Sequence, residues 1–177
     1  MPKRMGIKPT STARKIKKRL AAMTGDELRL LLLKLRNFRT PREQERFFLS
    51  HGLNARRLKA RDITVKDLLE YCCPRTLILL GFGFADLKRA KCKPSEMKEA
   101  GASIFAFQDQ GFTAREAKGA KYLVLEVVSA YSYKGALEAG FSQNEVNSVS
   151  PQTVKRFLEQ HKYSKEAIRN SMKRLKR

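Results

Sequence analysis

The chain contains no tryptophan, only three cysteines and two histidines, and few acidic residues for its basic content. No apolar run approaches the roughly 18 residues that a membrane-spanning helix needs, so we expect no stable insertion into a membrane. Cys72, Cys73 and Cys92 form an odd set, which fits a reducing compartment better than a disulfide-stabilised secreted domain. We therefore expect an intracellular protein of the cytoplasm, the nucleus or the interior of a particle.

Residues that commonly carry catalysis or bind metals are also sparse. Neither His51 nor His161 lies near another candidate catalytic residue in the sequence. The cysteines form no CxxC pair and have no histidine at ligand spacing, so core packing is the expected role of these thiols. The glycines of segment 81–84 lack the spacing of a phosphate-binding loop. We expect a non-enzymatic protein with neither a cofactor nor a bound metal.

Positive charge is present in large excess. The 38 lysines and arginines outnumber 17 acids and give a formal net charge of +21, which favours polyanionic partners. Residues 1–75 contain 20 basic and 7 acidic side chains, and residues 151–177 contain 9 and 2. Residues 76–150 contain 9 basic and 8 acidic side chains. Two basic flanks therefore surround a nearly neutral centre.

A pattern with a period of about ten residues runs from Asn54 to the segment before Pro151. Most units begin with a hydroxyl or turn residue, and many units have an acid three positions later, as in Thr113 with Glu116. This is the capping box of a helix N-terminus, in which the two side chains satisfy free amides reciprocally. The spacing predicts helix caps at Asn54, Thr64, Cys73, Gly83, Lys93, Ser103, Thr113, Leu123, Ser132 and Ser142.

The same spacing defines two further columns, each of which is a set of equivalent positions in successive units. The fourth residue after each cap is apolar: Leu58, Leu68, Leu77, Leu87, Met97, Phe107, Ala117, Val127, Ala136 and Val146. The eighth is glycine in four units, where a left-handed residue ends a helix: Gly81, Gly101, Gly111 and Gly140. Lys91, Lys121 and Tyr131 occupy that position in other units, whose helices are expected to end differently or to continue.

The spacing within each unit thus predicts a helix of about two turns, which is too short to be stable without contacts to neighbouring helices. We predict an all-α fold, with an α-solenoid-like array of very short helices flanked by amphipathic basic helices. One long helix is a poorer interpretation, because glycine and proline recur at fixed positions. The ten-residue period also differs from the seven or eleven residues of a supercoil.

The pattern resembles tandem decapeptide repeats with the consensus [ST]-x-x-[ED]-L-K-x-A-G-[FY]. The best matches are Ser95–Gly101 and Ala136–Ser142, and the resemblance covers about residues 54–146. Several units depart from the consensus, notably Leu123–Tyr131. The resemblance implies a helical array and no activity.

The sequence predicts four regions: a basic N-terminal arm or helix (1–23), a helical cap (24–53), the repeat array (54–150) and basic C-terminal helices (151–177). Residues 11–23 predict an amphipathic helix. The last helix, opened by Ser164, has an apolar stripe of Ile168, Met172 and Leu175. The acid-free N-terminal region also has the composition of a mitochondrial transit peptide, so organellar import is a second interpretation of the same residues.

The basic flanks favour a structural protein that binds RNA or DNA through the phosphate backbone without sequence specificity. A protein–protein scaffold, with partners along the array or as a subunit of a large assembly, is the alternative. A basic protein on an anionic membrane is a weaker third interpretation. The predicted nucleic-acid-binding residues are Arg14, Lys15, Lys17, Lys18, Arg19, Arg56, Arg57, Lys59, Lys165, Arg169, Lys173, Arg174 and Arg177.

Overall fold

A computed structural model describes residues 25–175, and all regular secondary structure in this range is helical. The all-α prediction is therefore confirmed for these residues, while the predicted helix at 11–23 lies outside them. The α-helices are α1 (Gly25–Lys34), α2 (Pro41–Ser50), α3 (Ala55–Lys59), α4 (Val65–Leu68), α5 (Pro74–Leu79), α6 (Phe84–Arg89), α7 (Pro94–Glu99), α8 (Ile104–Asp109), α9 (Ala114–Gly119), α10 (Val124–Glu138), α11 (Gln143–Asn147), α12 (Pro151–Gln160) and α13 (Lys165–Arg174).

The chain divides after Gly83 into two compact subdomains. The N-terminal subdomain contains α1–α5 and a short 3-10 helix, Leu35–Asn37. In its interior, the Thr76 hydroxyl donates a hydrogen bond of 2.7 Å to Gln44 Oε1, and Gln44 Nε2 donates one of 3.4 Å to the Leu35 carbonyl. Both polar side chains are buried, so this chain of hydrogen bonds satisfies them while joining α2 to α5.

The short helices begin at the predicted caps. The Thr113 hydroxyl accepts a hydrogen bond of 3.2 Å from the Glu116 amide, and the Glu116 carboxylate accepts one of 2.7 Å from the Thr113 amide. Ser142 and Glu145 form the same reciprocal pair. The remaining predicted caps also stand directly before helical residues, including Ser132, whose φ of 81° divides α10. The recurring acids therefore belong to helix termini.

The fourth residue of each short helix forms the core. All ten of these side chains, from Leu58 to Val146, are at most 1% exposed. A second buried column follows the turns and contains Phe82, Cys92, Ala102, Phe112 and Tyr122, while Phe141 in the same column is half-buried. Each helix alone buries too little to be stable, so contacts with other units must hold it in place.

In the C-terminal subdomain, several contacts join one ten-residue unit to the second unit after it in the sequence. The Tyr122 hydroxyl donates to the Ala102 carbonyl at 2.6 Å, and the Tyr131 hydroxyl donates to the Phe112 carbonyl at the same distance. Alternate units therefore pack together over about twenty residues of sequence. An α-solenoid needs such packing in every unit, and the solenoid arrangement of the whole array remains a prediction.

Lysine side chains make a second set of contacts between alternate units. Their ammonium groups lie over aromatic rings at distances of 4.7, 4.5 and 4.8 Å and donate to main-chain carbonyls in the same turns. The three sets are Lys88 with Phe112 and Gln110, Lys98 with Tyr122 and Lys121, and Lys118 with Phe141 and Gly140. A cation over a ring contributes about 0.5–2 kcal/mol, so these half-buried lysines serve packing.

The left-handed residues that end the helices differ in part from the prediction. The four expected glycines have positive φ, but Lys91 and Lys121 also do, with φ of 61° and 65°. The expectation that these two units end differently was wrong, because the same turn forms at a lysine despite the steric cost of its Cβ. Tyr131 is not among the positive-φ residues, and the helical run continues to the interruption at Ser132.

Replacing Lys91 with glycine is expected to raise the free energy of unfolding by about 0.5–1 kcal/mol. Glycine removes the left-handed strain of about 1–2 kcal/mol and loses part of that gain to unfolded-state entropy. The matched control is Gly101→Ala, where φ is 97° and no atom lies within 4 Å of the added Cβ, so strain alone should destabilise it. Urea unfolding of both variants checks the signs, and a destabilised Lys91→Gly would contradict the account.

Candidate nucleic-acid interface

Helix α13 has a row of basic side chains on one exposed face. Lys165, Arg169 and Lys173 are four residues apart, which places successive charges about 6 Å apart along the helix axis. No carboxylate in residues 25–175 forms an ion pair with any of the three. We call these three residues the α13 basic row.

The opposite face of α13 is docked by hydrogen bonds as well as apolar contacts. Ser171 is fully buried, and its hydroxyl donates to the Ser129 carbonyl at 2.6 Å. The Arg174 guanidinium donates to the Ala130 carbonyl at 2.7 Å and to Gln108 Oε1 at 3.2 Å. The predicted apolar stripe is half-buried on this side. The docking therefore holds the α13 basic row on the surface in a fixed orientation.

Two of the predicted binding residues have donors that are already used within the protein. Arg174 anchors α13 through the Ala130 carbonyl, and the half-buried Arg57 guanidinium donates to the Gly52 carbonyl. Arg56 and Lys59 are exposed on α3, and the Lys59 ammonium lies 5.4 Å from the centre of the Phe82 ring. Arg57 and Arg174 thus contribute positive charge to the surface, but their hydrogen bonds stabilise the fold.

The described residues contain part of the predicted interface. The structure places Arg56, Arg57 and Lys59 together on α3, and it places Lys165, Arg169, Lys173 and Arg174 together on α13. Arg14, Lys15, Lys17, Lys18, Arg19 and Arg177 lie outside the described residues. The exposed arginines that the sequence did not assign to the interface include Arg46 on α2 and Arg156 on α12. Each directly precedes a phenylalanine, and that pairing was the available signal.

Two of the three cysteines have the environment of packing residues, and the expectation of core packing is wrong for Cys73. Cys72 and Cys92 are buried, whereas Cys73 is exposed. Burial raises the pKa of the Cys72 thiol to about 12 and also raises the pKa of Cys92. Burial therefore favours the protonated form of both thiols, as expected of cysteines that pack as small apolar residues. Within residues 25–175, no group of three or more histidine, cysteine or acidic side chains could hold a metal ion.

None of the helices within residues 25–175 combines the length and the apolar character that a membrane span requires. The chain was also compared with known proteins. No known protein family matches it, and no characterised protein or solved structure shows significant similarity to it.

Proposed function

We propose that the protein binds nucleic acid without catalysing a reaction, through phosphate contacts made by basic residues that flank a helical-repeat spine. The α13 basic row carries this proposal. Its three charges are exposed and have no acidic partner within the described residues. Lysine and arginine side chains that contact phosphates release condensed counterions, and this release supplies most of the affinity of sequence-independent binding.

The surroundings of the row support the same function. Three lysines of the array are held over aromatic rings, so their charges are used in packing between units. The charges of the α13 basic row are instead directed to solvent by a helix whose buried face is fixed by Ser171. Phosphate contacts position a protein on nucleic acid without reading its sequence. A structural subunit of a ribonucleoprotein or of a nucleic-acid-filled particle fits this chemistry.

Neutralising the α13 basic row is expected to reduce the salt dependence of binding. In K165Q/R169Q/K173Q, the slope of log affinity against log salt should become shallower by about 2.7 for duplex DNA and about 2 for single strands. Fluorescence anisotropy with unrelated labelled RNA and DNA oligomers over a salt series measures these slopes.

The matched control is K66Q/R75Q/R115Q, which removes three exposed charges from the repeat units. These residues lie outside the proposed interface, so the control should keep a slope close to that of the unaltered chain. Affinity of the unaltered chain that barely changes with salt would rule out the proposed function. Equal slopes for the two triple variants would show that the α13 basic row is not the contact.

A protein–protein scaffold is the second candidate, favoured by exposed leucines. Leu30 and Leu33, which are three residues apart on α1, are 62% and 42% exposed. Exposed apolar side chains of this size suit a protein partner better than a phosphate backbone. Partner capture from extract with and without nuclease separates the two functions. Capture that survives nuclease and the K165Q/R169Q/K173Q changes supports the scaffold, and capture that is lost in both supports nucleic-acid binding.

A further inference from the structure

Two segments of the chain have the same order of residues at a separation of 110 positions. The segments are 40–59 and 150–169, and we call them the first and the second module. Each contains a capping hydroxyl, a proline, an Arg-Phe pair, a histidine, a second cap and a late basic residue. The matching pairs are Thr40 and Ser150, Pro41 and Pro151, Arg46 and Arg156, Phe47 and Phe157, Phe48 and Leu158, His51 and His161, Asn54 and Ser164, Leu58 and Ile168, and Lys59 and Arg169.

The first module ends its long helix, α2, at His51. The Nδ1 atom of His51 lies 2.8 Å from the Phe47 carbonyl oxygen, and the centres of the His51 and Phe47 rings are 4.5 Å apart at an angle of 44°. The next residue, Gly52, is left-handed with φ of 69°. Asn54 then caps α3 by accepting a hydrogen bond from the Arg57 amide.

The second module repeats this geometry at the end of α12. The Nδ1 atom of His161 lies 2.9 Å from the Phe157 carbonyl oxygen, and the two ring centres are 4.3 Å apart at an angle of 43°. Lys162 is left-handed with φ of 55°, and Ser164 caps α13. Both modules run for fourteen residues from cap to cap, which adds one helical turn to the ten-residue unit.

Packing accounts for only some of the matching pairs. Phe48 and Leu158 are fully buried, and the caps satisfy helix amides, so the fold requires them. Arg46 and Arg156 are exposed, and neither forms an ion pair with a described carboxylate, although the charge of Arg46 helps to lower the pKa of Glu43. The fold does not require an arginine at either position, yet it occurs in both modules.

The aromatic rings beside these arginines form exposed or half-exposed rows. The ring centre of Phe38, which precedes the first module, lies 5.0 Å from that of Phe47, which contacts His51. In the second module, the ring centre of Tyr163 lies 6.4 Å from that of Phe157 and 4.9 Å from that of Phe105, which precedes the module. All of these phenylalanines are half-buried, and the His161 ring is exposed. Each row therefore presents ring surface next to a positive charge.

Single-stranded nucleic acid is the polyanion that uses both the aromatic rings and the arginines. Its bases are free to stack on aromatic side chains while its phosphates bind basic groups. The bases of a duplex are already stacked on one another and offer no free face. An acidic protein could also contact the arginines and the rings, and competition with polyglutamate distinguishes it from a single strand.

We propose that each module is a binding site for single-stranded nucleic acid. Arg46 and Arg156 contact phosphates, and Phe47 and Phe157, each with its histidine, form the surface on which a base stacks. This inference rests on the proposed function and narrows the partner from nucleic acid in general to single strands. It also adds Arg46 and Arg156, which the sequence did not assign to the interface.

The arginines are tested by the salt dependence of single-strand binding. With a fluorescein-labelled oligonucleotide that cannot pair with itself, R46Q/R156Q should make the slope of log affinity against log salt shallower by about 0.7 at each module, since each module loses one phosphate contact. R75Q/R115Q removes two exposed charges outside both modules and should leave the slope unchanged. Both arginines of the test variant are exposed, so the fold should tolerate their loss.

The rings are tested by changing stacking at constant charge. F47L/F157L should weaken single-strand binding about five-fold or more for each ring, with the salt slope unchanged and duplex affinity unaffected. Phe84→Leu, at a half-buried phenylalanine outside both modules, is the control. Circular dichroism checks that each variant keeps its helicity, and if F47L/F157L loses helicity, R46Q/R156Q decides the question.

The results separate this inference from the proposed function. Equal affinity for single strands and duplex, with neither double variant differing from the unaltered chain, overturns the module assignment while salt-dependent binding through α13 stands. Displacement of the oligonucleotide by polyglutamate as readily as by unlabelled single strand also overturns it. If neither nucleic acid binds in a salt-dependent way, both the assignment and the proposed function fail.

Discussion

Replacing Phe107 with alanine is expected to lower the free energy of unfolding by about 3–5 kcal/mol, a large part of the stability of a small protein. Phe107 is fully buried at the fourth position of α8. Its ring centre lies 4.3 Å from that of Phe112 and 5.1 Å from that of Tyr122. The substitution therefore leaves a cavity between the core column and the column that follows the turns.

Chemical unfolding followed by circular dichroism measures this loss, with Phe84→Ala as the control. Phe84 is only half-buried at the first position of α6, so its truncation should cost much less than that of Phe107. Similar losses for the two variants would contradict the assignment of the fourth position as the core of each short helix.

The core and the helix starts of the array could be predicted from the sequence because both depend on local spacing. A hydroxyl and an acid three residues apart determine where a helix begins, as at Thr113 and Glu116. The buried side chain then follows one position after the acid, as Ala117 does. No knowledge of neighbouring units is needed for either step.

Contacts between units could not be predicted in this way. The aromatic partners of Lys88, Lys98 and Lys118 lie 23 or 24 residues ahead, and choosing them requires knowing that alternate units touch. The left-handed Lys91 was missed for a related reason, since the turn is set by packing that outweighs the local preference of lysine.

Only part of the candidate interface could be predicted from local spacing. The spacing of Lys165, Arg169 and Lys173 shows that they share a helix face, so the row could be found from sequence. The internal contacts of Arg174 reach Gln108 and Ala130, far away in the chain, and no local pattern indicates them. The modules were not predicted because the fourteen-residue spacing of their caps does not fit a ten-residue period.

Replacing Ser171 with aspartate is expected to detach α13 from the C-terminal subdomain. Ser171 is fully buried and donates to the Ser129 carbonyl, whereas a carboxylate can only accept and would face that oxygen. Burying a charge without a partner costs several kcal/mol, which is enough to break the contacts that hold a surface helix in place. Asn170→Asp is the matched control, because it introduces the same charge at the neighbouring exposed position.

Hydrogen exchange of the α13 amides measures the detachment, which should be fast in Ser171→Asp and slow in Asn170→Asp. The two variants have the same net charge, and the carboxylate of Asn170→Asp lies three residues from Lys173, so only weaker binding by Ser171→Asp than by Asn170→Asp reports how α13 is positioned. Reordering a detached segment on binding costs about 2–5 kcal/mol, which predicts roughly 30-fold weaker binding or more for Ser171→Asp. Equal exchange rates would show that the buried serine does not hold the helix. Fast exchange with equal affinity would show that the charges of α13 act without a fixed orientation.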